Sequence, residues 1–153
     1  SGEPGVEVKV SASMGDVPFV GYIDRLFWVD DSELVAIDLK TGALPPSKLQ
    51  LGTYKVALEN QWGISPRFGA YWIASEGDVN KLWDLEHYTA DYVANAFSMA
   101  RRGINAGVFL PNVTGMCVGC GVREHCRAVG GAQANKVPTV TKVELRDALN
   151  GRK

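Results

Sequence analysis

Three stretches with the patterning of β-strands crowd the beginning of the chain, and they restrict it to folds that open with a small antiparallel sheet. "VEVKVSA", Val6 to Ala12, alternates as a half-buried strand does. "VPFVGYIDRLFWV", Val17 to Val29, is a second strand, and Glu33 to Leu39 a third. The intervening "SMGD" and "DDS" are turn signals too short for a crossover, so the three strands pair as an antiparallel meander. Gly21, inside the second strand, marks a bulge or a close approach of another group.

"TGALPPS" breaks the sheet, and Ser47 to Trp62 reads as a helix started by Pro45 and Pro46, with Leu49, Thr53, Val56 and Ala57 on its inner face. Arg67 to Ala74 returns as a strand, "SEGD" turns, and Lys81 to Glu86 pairs with it. His87 to Arg102 is a second helix, with Tyr88, Tyr92, Ala96 and Met99 near one face. Beyond Gly103 the chain is irregular through a cysteine cluster. Residues 129–153 read as a flexible basic tail in which "TKVELRDALNG" can form a short helix. The order describes an α/β (α+β) domain, a central mixed sheet flanked by helices, over residues 1–128.

Composition excludes little beyond the membrane. No run approaches the roughly 20 apolar residues of a spanning helix. "SGEPGVEV" has neither the basic nor the apolar segment of an export signal, so a cytoplasmic location is expected. A net charge of −1 does not advertise a nucleic-acid binder, yet a local basic patch is enough to hold phosphate.

Chemistry gathers at "LVAIDLKTG". Asp38 and Lys40, two apart on a strand, share one face. Pairing across "DDS" brings Asp24 of "GYIDRL" toward Asp38. Two carboxylates held together repel unless a divalent cation lies between them. A lysine beside them would hold a phosphate or position a water. The unit suits metal-assisted phosphodiester cleavage. Singly, each motif reads equally as a solvated strand end or a surface ion pair.

In order and spacing, "GYIDR", "AIDLKTG" and "QLGTY" resemble the RecB-like branch of the PD-(D/E)xK nucleases, closely over Val17 to Leu58 and more loosely as far as Cys126. The resemblance implies a restriction-endonuclease-like core and a DNA nuclease, an exonuclease on ends or single strands. Asp24, Asp38 and the Leu39 backbone carbonyl would hold Mg²⁺ or Mn²⁺, Lys40 would be the catalytic lysine, and Gln50 and Tyr54 would match the last motif. Gln50 and Tyr54, at i and i+4, share a helix face. A helicase, or another recombination, repair or CRISPR protein, is the implied partner. The alternative is an inactive nuclease fold kept for DNA docking or assembly.

Cys117, Cys120 and Cys126 lie within "CVGCGVREHC", an odd and tightly spaced set that favours metal over disulfides. The resemblance extends to nucleases of this branch, AddB-type and CRISPR-associated, that end in three cysteines of a 4Fe–4S cluster acting as a structural staple. Zn²⁺, with Cys117, Cys120 and His125 opening a zinc knuckle, is the alternative, as is a zinc-binding interaction domain. Cys126 directly after His125 makes an awkward tetrahedral site, so His125 reads as a loop residue.

The chain departs from that branch in two ways. The branch carries a His or Glu on a helix before its first strand, and a fourth cysteine upstream; the 23 residues before Asp24 contain neither His nor Cys. Both departures are expected if the N-terminal part of the domain is missing, and the Ser-Gly start reads as a tag scar. Glu7 is a weak substitute acid. Arg25, Lys48 and Lys55 are candidate phosphate contacts, and Arg101 and Arg102 weaker ones; a solvated face is the commoner fate of such residues. Trp28, Trp62, Tyr71, Trp72 and Trp83 read as packing residues rather than base-stacking platforms.

Overall fold

In the computed structural model, residues 5–29, 33–42, 44–45, 47–108 and 110–136 are described. The "DDS" turn, Pro46 and the helix expected within "TKVELRDALNG" lie outside them. The chain divides into two compact units, Ser1–Arg102 and Gly103–Lys153.

The first unit is built on β1 (Val6–Met14), β2 (Val17–Trp28), β3 (Leu34–Lys40), α1 (Leu49–Trp62), β4 (Phe68–Ile73), β5 (Asp78–Asp84) and α2 (Ala90–Asn105), whose last turn crosses into the second unit. Gly15, at φ 64°, makes the tight β1–β2 turn. The five strands lie in sequence order, β1-β2-β3-β4-β5. The expected meander is present, with β2 antiparallel to both β1 and β3. β4 runs parallel to β3, so α1 lies in the crossover between them, and β5 returns antiparallel. The sheet is therefore mixed, as the order of elements suggests, and the fold is α+β.

One sheet face carries the core, with Val10, Met14, Ile23, Ala36 and Tyr71 packed with Leu51, Val56, Ala57 and Leu58 of α1. Burying a side chain of this size contributes about 1.5–3 kcal/mol. Residues 51–54 and 56–58 of α1 are all buried, wider than a stripe through Thr53, Val56 and Ala57; Leu49 is half-buried at its edge. Gly52 explains the extra width. A Cβ there would lie 2.4 Å from the Tyr88 ring, so the missing side chain lets the aromatic ring lie on the helix.

α2 begins at Ala90, three residues later than the sequence suggests, and this moves its inner face. Val93 is buried and Phe97 half-buried, with the Phe97 ring edge-on to Phe19 at 5.8 Å. Tyr92 and Met99, expected inside, are 51% and 64% exposed. Tyr88 is buried but precedes the helix and packs from the loop. Trp28 and Trp62, expected to pack, are also exposed.

The inward positions of β2 break their period of two. Phe19 and Ile23 face the core, but so does Leu26, three residues after Ile23. The break falls where Val8 opposes Ile23 and Val6 opposes Arg25, leaving Glu7 across from Asp24. Glu7 has φ 48°, a left-handed conformation that side chains other than glycine rarely adopt. Its side chain is exposed, and its backbone turns the edge strand at the level of the first acid. Gly21 answers the sequence expectation as a close approach: a Cβ there would stand 2.6 Å from the Phe19 ring.

In the second unit, short 3-10 turns span Gly115–Gly119, Arg123–His125, Arg127–Val129 and Ala134–Lys136. No helix among the described residues is long and apolar enough to cross a membrane.

Two substitutions test these packing features. Gly52→Ala is expected to cost about 1–3 kcal/mol, measured by urea unfolding, because the added methyl must displace the Tyr88 ring. Glu7→Gly is expected to match or exceed the parent in the same assay, and Glu7→Val to fall below it, because a β-branched residue resists positive φ.

Candidate active site

Asp38 is a carboxylate in a core position, only 3% exposed, on the strand face that α1 covers. A charge so placed requires partners, and three groups supply them. Gln50 Nε2 donates to Asp38 Oδ1 at 2.6 Å, and the Tyr54 hydroxyl donates to the same oxygen at 3.2 Å. Gln50 Nε2 also reaches Tyr54 Oη at 3.0 Å. Lys40 Nζ stands 2.6 Å from Asp38 Oδ2 and donates to Gln50 Oε1 at 2.9 Å. The ring closes: carboxylate, amide and ammonium each touch the other two. The two charges also fix the amide, with its oxygen toward the cation and its NH₂ toward the anion.

Asp24 completes the group from β2. The β2–β3 ladder runs from Trp28 opposite Leu34 to Arg25 opposite Ile37 and stops. One step further, Asp24 Oδ2 accepts the Leu39 N–H at 2.8 Å, so a side chain replaces the main-chain acceptor where the strands part. This hydrogen bond anchors the Asp24 carboxylate to the residue between Asp38 and Lys40. The structure thus brings Asp24, Asp38, Lys40, Gln50 and Tyr54 together.

A match to the PD-(D/E)XK nuclease superfamily runs over residues 2–127. The chain belongs to that superfamily. It is also 31% identical over 115 residues to the gene 69 protein of Mycobacterium phage D29, an alignment that covers 72% of this chain and 42% of the phage protein.

The donor set of this superfamily member suits a hard divalent cation. Asp38 Oδ2 is buried and receives no directed hydrogen bond, only the ion-pair contact with Lys40. It is an oxygen with unused acceptor capacity beside a second carboxylate. Magnesium-type ions need no more than one or two carboxylates plus water and substrate phosphate. No group of three or more His, Cys, Asp or Glu poised around one ion occurs among the described residues, the cysteines included.

The tyrosines report the local field. Burial, with the Asp38 charge adding to it, pushes the Tyr54 hydroxyl up to about 12, against the lowering effect of its Gln50 bond. Burial and then Asp38 push Tyr71 up to about 12 as well. Both therefore stay protonated, and Tyr54 remains a donor to Asp38, at any ordinary pH. Tyr71 is the residue that sequence reading treated only as packing. It lies directly across from Asp38 in the parallel β3–β4 ladder, with the Lys40 ammonium 5.7 Å from its ring centre. Only the "RFGAYWIA" strand pattern was visible, and its register against β3 was not.

The weaker candidates separate. Arg25 Nη1 binds the Asp24 carbonyl, and its side chain lines an apolar groove with Ile37, Leu39 and Trp72 on the sheet face opposite Asp38. Lys55 Nζ donates to the Leu85 carbonyl. Lys48 Nζ stands 5.3 Å from the Tyr71 ring centre, on the side of the active site. Cys117, Cys120 and Cys126 are free thiols; Cys120 is exposed, and the Thr114 N–H reaches Cys117 Sγ at 3.4 Å. His125 is exposed, in a 3-10 turn.

The raised phenols predict an alkaline limit. The folded state retains two protons that the unfolded chain loses near pH 10, so the stability they contribute is complete below pH 10 and lost as pH rises toward 12. Titration of phenolate absorbance should show Tyr54 and Tyr71 ionising late, with Tyr88 also shifted upward by burial. Tyr54→Phe should remove one of them and flatten the fall in melting temperature above pH 10.

Proposed function

We propose that the chain is a metal-dependent DNA nuclease of the RecB-like branch, acting on DNA ends or single strands as an exonuclease. The observation that supports this most is the closed Asp38–Gln50–Lys40 ring beside Asp24. It gives a buried carboxylate an amide and an ammonium as partners and places a lysine beside it on the sheet. Asp24, Asp38 and the Leu39 carbonyl would hold Mg²⁺ or Mn²⁺, which supplies Lewis-acid stabilisation of the phosphate and makes water a better nucleophile. Lys40, one-quarter exposed, can turn its ammonium from Asp38 to the attacked phosphate and counter the charge that grows there. Gln50 and Tyr54 hold Asp38 Oδ1, leaving Oδ2 for the cation. The phage relative is more than twice as long as the matched region, so strand choice and direction of digestion belong to the whole protein. A cytoplasmic setting and a helicase, repair, recombination or CRISPR partner fit this chemistry.

We also infer that Cys117, Cys120 and Cys126 contribute three thiolates to a 4Fe–4S cluster whose fourth ligand lies elsewhere. The support is their spacing and their free state. No catalytic step depends on them. Protein purified without oxygen is expected to contain iron and sulfide, both lost in Cys120→Ser; zinc in their place would favour the zinc-binding alternative.

Cleavage of end-labelled single- and double-stranded DNA in Mn²⁺ tests the nuclease. Asp38→Asn and Lys40→Ala should each lower the rate by about 100-fold or more, and chelation of the metal should abolish it. Binding without cutting by a longer, cluster-loaded form would replace this reading with the docking module.

A further inference from the structure

The face of the sheet that bears the candidate active site carries a row of cations interleaved with aromatic rings. Lys40 Nζ lies 5.7 Å from the Tyr71 ring centre, and Lys48 Nζ lies 5.3 Å from the same ring. Lys48 Nζ is also 4.3 Å from the Trp83 ring centre, over which Lys81 Nζ stands at 3.9 Å. Lysine and ring alternate from Lys40 on β3, across Tyr71 on β4, to Trp83 and Lys81 on β5. Lys81 and Trp83, two apart on one strand, share a face.

The charges along this row are not balanced. Lys40 is paired with Asp38, but among the described residues no carboxylate forms an ion pair with Lys48 or Lys81. Among the described residues Lys48 Nζ donates to the Pro45 carbonyl, which is neutral. Two ammonium groups over one indole repel each other, and a ring quadrupole offsets only part of that cost. An anion lying along the row would remove it. The rings themselves are poor stacking surfaces, since Tyr71 is fully buried and Trp83 half-buried. Their effect is to hold the ammonium groups in single file. Such a file suits the successive phosphates of one flexible strand, whereas a rigid duplex brings two phosphate rows.

We propose that Lys48 and Lys81, positioned by Tyr71 and Trp83, form a phosphate track along which a single DNA strand passes between the active site and the β5 edge. The proposal rests on the nuclease reading for the identity of the anion, and it assigns a role in substrate binding to Lys81, which lies outside the motifs that carry Asp24, Asp38, Lys40, Gln50 and Tyr54.

Fluorescence anisotropy tests it, with Ca²⁺ in solution and end-labelled oligothymidylates of increasing length, comparing the chain with Lys81→Ala and Lys81→Arg. Lys81→Ala is expected to weaken binding of the longer strands about fivefold and to lower the salt slope by about 0.7, as loss of one phosphate contact to a single strand requires. Lys81→Arg should keep both values, and the shortest oligonucleotides should bind all three proteins alike. Unchanged affinity and slope in Lys81→Ala overturns the track but leaves the nuclease reading intact, because that reading is judged by cleavage and its loss in Lys40→Ala. A loss equal at every length, or equal on blunt duplex, also overturns it. Thermal unfolding of Lys81→Ala confirms that binding is compared between folded proteins.

Discussion

A carboxylate in the core is the constraint around which this molecule is arranged. Asp38 occupies a strand position where its neighbours Leu34 and Ala36 are apolar and buried. Withdrawing its charge from water costs several kcal/mol, which the protein offsets with an ammonium, an amide and a phenol. That requirement fixes the approach of α1, because Gln50 and Tyr54 must reach one oxygen from successive turns of the helix. It fixes the Gln50 rotamer and the direction of Lys40 in the same way. One oxygen, Oδ2, is left with only an ion-pair contact, and this incomplete satisfaction separates a site from a structural salt bridge.

The second acid depends on a different device. A regular β2–β3 ladder would have closed over Leu39 with a main-chain carbonyl. Instead the inward face of β2 changes parity after Ile23, opposite the left-handed Glu7, and Asp24 supplies the acceptor. A strained residue on the edge strand thus faces the point where two strands separate around a functional group, a common place for such strain. The first acid is in this way held by a backbone N–H rather than by a cation. Lys40, by contrast, is paired with Asp38.

Much of this was legible in the chain. The meander followed from three alternating stretches and two short turns, and "GYIDR", "AIDLKTG" and "QLGTY" named the five residues that the fold brings together. The departures have local physical causes. The inner face of α2 differs from the one its pattern suggests because the helix starts at Ala90 rather than His87, which makes Tyr88 a loop residue and turns Val93 and Phe97 inward. Gly52 carried no readable signal, since its place in a helix is justified only by the ring of Tyr88, far away in sequence.

The sequence by itself determined which residue types stand where: strand periodicity put Asp38 and Lys40 on one face, and helical spacing put Gln50 and Tyr54 on another. These are short-range consequences of the two backbone repeats, and no fold is needed to derive them. Tertiary structure decided what those faces meet. The parallel pairing of β3 with β4 through the α1 crossover sets Tyr71 across from Asp38, and β5 then brings Trp83 and Lys81 toward Lys48. Parallel register is set by the packing of the whole crossover against the sheet rather than by a turn. For that reason the row of lysines became visible only once the chain was folded.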